Sequence, residues 1–164
     1  LDEERVGTIL AQAFPHLVID EVHYLAAGWD FEVWEVDASG GKPVLFRFPF
    51  RDDCVVHVRR EAALLPAVGP TLPVAIPEPI LLAEGCEAFP LPFFGYEKVE
   101  GAPLSEADLT AEQEDVVGRE LGKILSALHS FDLDRAVALG IERQDASSWR
   151  RQLSALQDKC RAQV

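Results

Sequence analysis

One cation stands inside the apolar run Val44-Leu45-Phe46-Arg47-Phe48-Pro49. Taking a guanidinium out of water is costly unless a carboxylate or an anionic ligand pairs with it. Glu61 supplies a carboxylate downstream, on a segment with helical spacing. A strand cation oriented by a helix carboxylate can hold the phosphates of a nucleotide. The competing reading is a structural ion pair at a sheet edge. Alternation places Arg47 with Leu45 and Pro49 on one strand face, opposite Val44, Phe46 and Phe48. One face then packs in the core and the other looks into a cleft. Glu61 is close in helical angle to Val58, Ala62 and Leu65, so it borders a buried stripe and can reach the strand. Arg51 is a competing candidate for the phosphate contact. His57, on the same side as Glu61, reads as an ordinary, partly buried histidine rather than a base.

The elements that position these residues follow from periodicity. Asp2 to Phe14 has helical spacing and is closed by Pro15. Leu17 to Ala27 and Phe31 to Asp37 read as strands broken at Gly28, and Ser39-Gly40-Gly41 turns the chain into a third strand, Val44 to Phe50. Asp52 and Asp53 offer a helix N-terminus, with the helix running to about Val68. The prolines at 70, 73, 77 and 79 force an extended crossing. Ile80 to Ala83 and Phe93 to Val99 read as two more strands. Beyond Gly101 the pattern is helical: Ser105 and Thr110 are candidate N-caps, and Thr110 has Gln113 at capping-box spacing. Val117, Leu121, Ile124 and Leu128 form one stripe, and Trp149, Leu153, Leu156 and Cys160 another. The layout is α+β, with the sheet confined to the first part of the chain.

Composition narrows the classes. The 164 residues, 48% of them hydrophobic, can bury a core and suit one domain or one domain plus part of another. A net charge of −13 argues against nucleic acid, which needs a positive surface. It favours a cationic small molecule by steering, or simply keeps the protein soluble. No apolar stretch approaches the roughly 20 residues that span a bilayer, and the charged start Leu1-Asp2-Glu3-Glu4-Arg5 is unlike a signal peptide. Cys54, Cys86 and Cys160 have no metal or redox spacing and read as free thiols in a reducing cytoplasm. Methionine is absent even at position 1, so the chain reads as an excerpt of a longer polypeptide.

Gly28-Trp29-Asp30, Phe46-Arg47-Phe48-Pro49, Arg59-Arg60-Glu61, Val74 to Pro79 and Phe93-Phe94-Gly95-Tyr96-Glu97-Lys98-Val99-Glu100-Gly101 occur in an order that resembles the aminoglycoside phosphotransferase family of small-molecule kinases, with its macrolide-kinase relatives. The resemblance runs from about Leu1 through Leu128-His129. It implies a protein-kinase-like N-terminal lobe with a five-stranded antiparallel sheet and hinge over residues 1–101, and the beginning of a helical lobe over 102–164. It also implies ATP or GTP as the phosphate donor and a small-molecule acceptor, an aminoglycoside-type antibiotic first among them. Gly28, Trp29 and Asp30 would form the loop over the nucleotide, although on the residues alone a plain hairpin turn is preferred. Arg47 and Glu61 would hold the phosphates, with Arg where many kinases have Lys; Arg adds a planar, bidentate fork. Glu97 and Val99 would offer backbone groups to the base, with Lys98 turned elsewhere and Phe93, Phe94 and Val99 lining the base pocket.

No H-x-D-x-x-x-x-N occurs in the chain. Phosphoryl transfer needs such a catalytic aspartate and further metal ligands. The catalytic residues and the Mg ligands are therefore expected on other parts of the polypeptide, and this piece alone is expected to be inactive. Asp132 and Asp134 have the wrong setting for a metal pair. His129 reads as a helix-end cap. The alternative is a kinase-like module that binds a nucleotide or a protein without chemistry.

Overall fold

Strands with large apolar residues on both faces need a cover on each side, and the chain supplies two helices for the purpose. The computed structural model describes residues 1–143 and, beyond them, 145, 147, 149–151, 153 and 154. Its strands are β1 (Ile19–Ala27), β2 (Phe31–Ala38), β3 (Val44–Pro49), β4 (Leu81–Ala83) and β5 (Phe93–Glu97). They form one sheet in the order β1-β2-β3-β5-β4, every neighbouring pair antiparallel. The five-stranded antiparallel sheet expected from the sequence is the sheet observed.

Helix α1 (Glu3–Ala13) starts at Asp2, whose side chain accepts the Arg5 N–H. It buries Val6, Ile9 and Leu10 against Trp34, Val36, Val44, Phe46, Phe48 and Phe93. Helix α2 (Val55–Val68) covers the opposite face, where Val58 packs with Phe31, Cys54 and Phe94. Arg47 is on this second face, between strands that place Val33 and Phe94 directly opposite it. Asp52 and Asp53 do not cap α2. They lie in a single 3-10 turn, Asp52–Cys54, that precedes it.

Strand ends differ from the sequence expectation for local reasons. β5 stops at Glu97 because its partner there is Val44, and the next residue, Pro43, has no N–H to continue the ladder. Only the Pro43 carbonyl remains, and it accepts the Lys98 N–H at 2.9 Å. β1 begins at Ile19 rather than Leu17, whose N–H is spent on the Phe14 carbonyl at 2.9 Å.

Helix α3 (Ala111–His129) carries the capping box that Thr110 and Gln113 predict. Helix α4 (Leu133–Ala138) follows, with Asp132 as its N-cap. Ser105 lies inside a short 3-10 turn, Leu104–Glu106, and the N-cap of α3 is Thr110. The α3 stripe forms, yet Leu121 and Leu128 stay 48% and 43% exposed. Leu156 and Cys160 of the last predicted stripe lie outside the described residues. Among the described residues no helix is long and apolar enough to cross a membrane.

Candidate functional site

The β3–α2 ion pair that the spacing suggests is formed. Arg47 Nη1 donates to Glu61 Oε2, with the two side chains 24% and 31% exposed. That exposure is low enough to strengthen the pair and high enough for a ligand to reach it. The guanidinium carbon sits 4.3 Å from the Phe31 ring centre and 5.5 Å from that of Phe94. Nε and Nη2 of Arg47 have no protein acceptor among the described residues. Glu61 thus fixes one end of the fork and leaves the other free to meet an anion.

The loop between β1 and β2 is tied down from one side. Gly28 N–H donates to the Phe31 carbonyl at 2.8 Å, and the Trp29 side chain is 94% exposed. Gly28 has no left-handed backbone, and an added Cβ would meet nothing nearer than the Phe31 carbonyl oxygen at 3.9 Å. Neither strain nor crowding requires glycine here, and its bareness leaves room above the loop.

Arg51 does not share the setting of Arg47. Its Nη1 donates to the Trp29 carbonyl at 3.1 Å and its Nη2 to Asp30 Oδ1 at 2.7 Å. Its Nε faces Asp53 Oδ1 at 2.8 Å. Pairing with Asp53 and Asp30 raises the Arg51 guanidinium above its ordinary pKa. Arg51 therefore straps the loop to the turn that begins α2. Replacing it, Arg51→Ala, is expected to speed amide exchange in the Gly28–Asp30 loop roughly two- to tenfold. The melting temperature should shift by less than about 3 °C, since exposed ion pairs add little stability. Unchanged loop exchange, read by hydrogen–deuterium exchange mass spectrometry, would show that the strap does not hold the loop.

At the end of β5 the chain leaves the sheet as a short connecting segment. With Lys98 N–H on Pro43, the alternation of antiparallel backbones turns the peptide groups of Glu97 away from β3. That side is open because β4 has already ended, with Ile80 N–H on the Gly95 carbonyl at 2.9 Å. A cavity of about 350 Å³ lies there, lined by Ala75, Ile76, Ile80, Glu97 and Val99. Lys98 also lines this cavity together with Lys42 and Glu78, and its Nζ holds both Glu35 oxygens at 2.9 and 2.8 Å. The bond to Glu35 raises the Lys98 pKa.

The pocket lining needs one correction. Phe93 is fully buried on the α1 face, with Phe46 and Phe48, and takes no part in a site on the other side. Phe94 is on the Arg47 face, and Val99 reaches the cavity. Tyr96, a residue of the same motif, lies two residues on from Phe94 and opposite Leu45 and shares that face, a place the sequence reading does not give it. Burial raises its hydroxyl pKa, with Arg47 opposing. The alternation Phe94, Tyr96 was the available signal. His57 is exposed rather than partly buried.

No magnesium ligands come together near Arg47 among the described residues. Asp132 caps α4 and Asp134 pairs with Arg143 at 2.7 Å. Glu21, His23 and Asp37 cluster at the far end of the β1–β2 hairpin from the Gly28 loop, the first two exposed and Asp37 half-buried.

Comparison with known proteins agrees with this architecture. The structure superposes on the GDP complex of wild-type aminoglycoside 2'-phosphotransferase-IIIa with a TM-score of 0.83 at 22% identity, over 100% of this chain and 53% of that one. Against the GDP and kanamycin complex of APH(2")-IIia the TM-score is 0.83 at 24% identity, over 97% of this chain and 52% of that one. For the apoenzyme of a macrolide 2'-phosphotransferase from Brachybacterium faecium it is 0.71 at 26% identity, over 92% and 52%. The chain thus spans about half the length of these proteins. No curated protein sequence matches it significantly. The model of the phosphotransferase enzyme family matches residues 21–163, which take in the sheet except the first two residues of β1 and every helix described above except α1, and the chain belongs to that family.

Proposed function

We propose that this chain is the nucleotide-binding part of a phosphotransferase that moves the γ-phosphate of ATP or GTP to a hydroxyl group of a small molecule, with an aminoglycoside-type antibiotic favoured. The observation that carries the reading is Arg47, held by Glu61 with its remaining N–H groups free, on the sheet face that ends at the open segment Glu97–Val99. In this reading Arg47 binds the phosphates and Glu61 orients it. Gly28, Trp29 and Asp30 cover them from the loop strapped by Arg51. The backbone groups of Glu97 and Val99 meet the base, in a space walled by Ile76 and Ile80.

Residues 1–101 form the nucleotide lobe and hinge, and 102–164 begin the helical lobe. The catalytic aspartate and the Mg ligands lie elsewhere on the polypeptide, which makes this piece inactive by itself. Two related structures contain GDP, one of them together with kanamycin, which supports both the nucleotide and the acceptor class. The charge of −13 draws a polycationic acceptor toward the protein.

The test is to incubate the intact polypeptide with ATP or GTP, magnesium, and kanamycin or a macrolide. Product is followed by mass spectrometry and nucleoside diphosphate release. A phosphorylated aminoglycoside is expected, and phosphorylated macrolide alone would move the acceptor class. Binding of nucleotide with no transfer to either acceptor would leave the non-catalytic module in its place.

A further inference from the structure

We propose that Phe31 and Phe94 are positioning residues for Arg47, and that they make this site require arginine where a lysine would otherwise serve. The proposal rests on the reading of Arg47 as the phosphate-binding cation.

The two rings come from the strands on either side of β3. Phe94 on β5 is directly opposite Arg47, and Phe31 on β2 is opposite Pro49, on the same sheet face. Both are held firmly, Phe94 fully buried and Phe31 8% exposed, in one cluster with Cys54 and Val58 of the α2 side. The guanidinium carbon lies over each ring, 4.3 Å from the centre of Phe31 and 5.5 Å from that of Phe94. An aromatic face attracts a cation and gives a planar guanidinium a surface to rest on, yet takes none of its in-plane hydrogen bonds.

The division of labour at Arg47 follows. The rings use the face of the guanidinium, Glu61 uses Nη1, and the edge bearing Nε and Nη2 is left with a fixed direction and no protein acceptor among the described residues. An ammonium group has no flat face to rest on the rings and no fork to aim. In lysine's place the rings would hold the charge without orienting its donors. This gives a physical reason for arginine at a position where a lysine would carry the same charge.

The test is a double-mutant cycle on the intact polypeptide, with dissociation constants for ATP, GTP, adenosine and guanosine from calorimetry. Arg47→Lys is expected to weaken triphosphate binding about tenfold in the parent, and no more than about twofold when Phe31→Leu is also present. Nucleoside binding should not move in any variant. An equal loss from Arg47→Lys in both backgrounds overturns the proposal, as does nucleoside affinity that falls in step with triphosphate affinity.

The buried Phe94 is better probed without changing its volume. Replacing Phe31 or Phe94 by fluorinated phenylalanines of decreasing ring charge should weaken triphosphate binding in graded steps, and a flat response overturns the proposal. Failure of the underlying reading looks different. Arg47→Ala would then bind triphosphates as the parent does, whereas a strong loss in Arg47→Ala without coupling to the rings removes this inference alone.

Discussion

Arg47→Ala is expected to remove the stabilisation that ATP or GTP confers on the protein. A ligand at 100 times its dissociation constant stabilises a fold by about 2.7 kcal/mol. For a chain of this size that corresponds to a rise of roughly 5–10 °C in melting temperature. Alanine withdraws the cation proposed to meet the phosphates. It also leaves Glu61, only 31% exposed, without its partner and facing the same space. The bare carboxylate then repels the incoming charge, so the loss exceeds that of one contact, and a fall in affinity on the order of 100-fold or more is expected. Glu61→Gln provides the graded comparison. It removes the charge but keeps a side-chain oxygen for Arg47 Nη1, so a loss of roughly fivefold is expected. Differential scanning fluorimetry with each nucleotide reads both variants. An Arg47→Ala protein that is folded and still shifts as the parent does with ATP and GTP would remove Arg47 from the site.

That pair was legible in the sequence because two independent periods pointed at the same place. Strand alternation put Arg47 on the face opposite Phe46 and Phe48, and helical angle put Glu61 beside Val58. The same logic could not separate Phe93 from Phe94, since adjacent aromatics carry no alternation of their own and only the pairing of β5 with β3 assigns each to a face. The length of β5 was hidden for a cross-strand reason, the missing N–H of Pro43. Arg51 looked equivalent to Arg47 along the chain. Its engagement with Trp29 and Asp30 depends on the loop folding back over 21 residues. The proline-rich crossing read as extended, and nothing in its composition said that Ala75, Ile76 and Ile80 would wall the space beside Glu97. The α3 stripe was readable as amphipathic, but periodicity does not name what covers it.

Gly95→Ala is expected to be among the most destabilising single substitutions in the sheet, although glycine in a strand is ordinarily a weakness. Gly95 lies in the middle of β5, opposite Phe46 on β3 and Leu81 on β4. A Cβ there would come within 2.6 Å of Phe46 Cε1 and 2.9 Å of both Cδ1 and Cζ. Phe46 is fully buried and cannot swing away, because Phe14, Phe48 and Phe93 surround it with ring centres 5.8, 6.4 and 6.4 Å distant. Either that cluster or β5 must shift. Overpacking of this kind costs about 3 kcal/mol, and a fall of roughly 6–12 °C in melting temperature is expected for Ala, with Val failing to fold. The clash also predicts its own suppressor. Phe46→Leu alone leaves a hole, but combined with Gly95→Ala it gives the new methyl somewhere to go, so the double variant should be more stable than the sum of the two losses. A displaced β5 would move Phe94 on one side of Gly95 and Tyr96 on the other, so triphosphate affinity should fall in Gly95→Ala and recover with Phe46→Leu. Calorimetric melting of the four proteins checks the coupling. Additive losses would mean that Gly95 is not there to make room for the Phe46 ring.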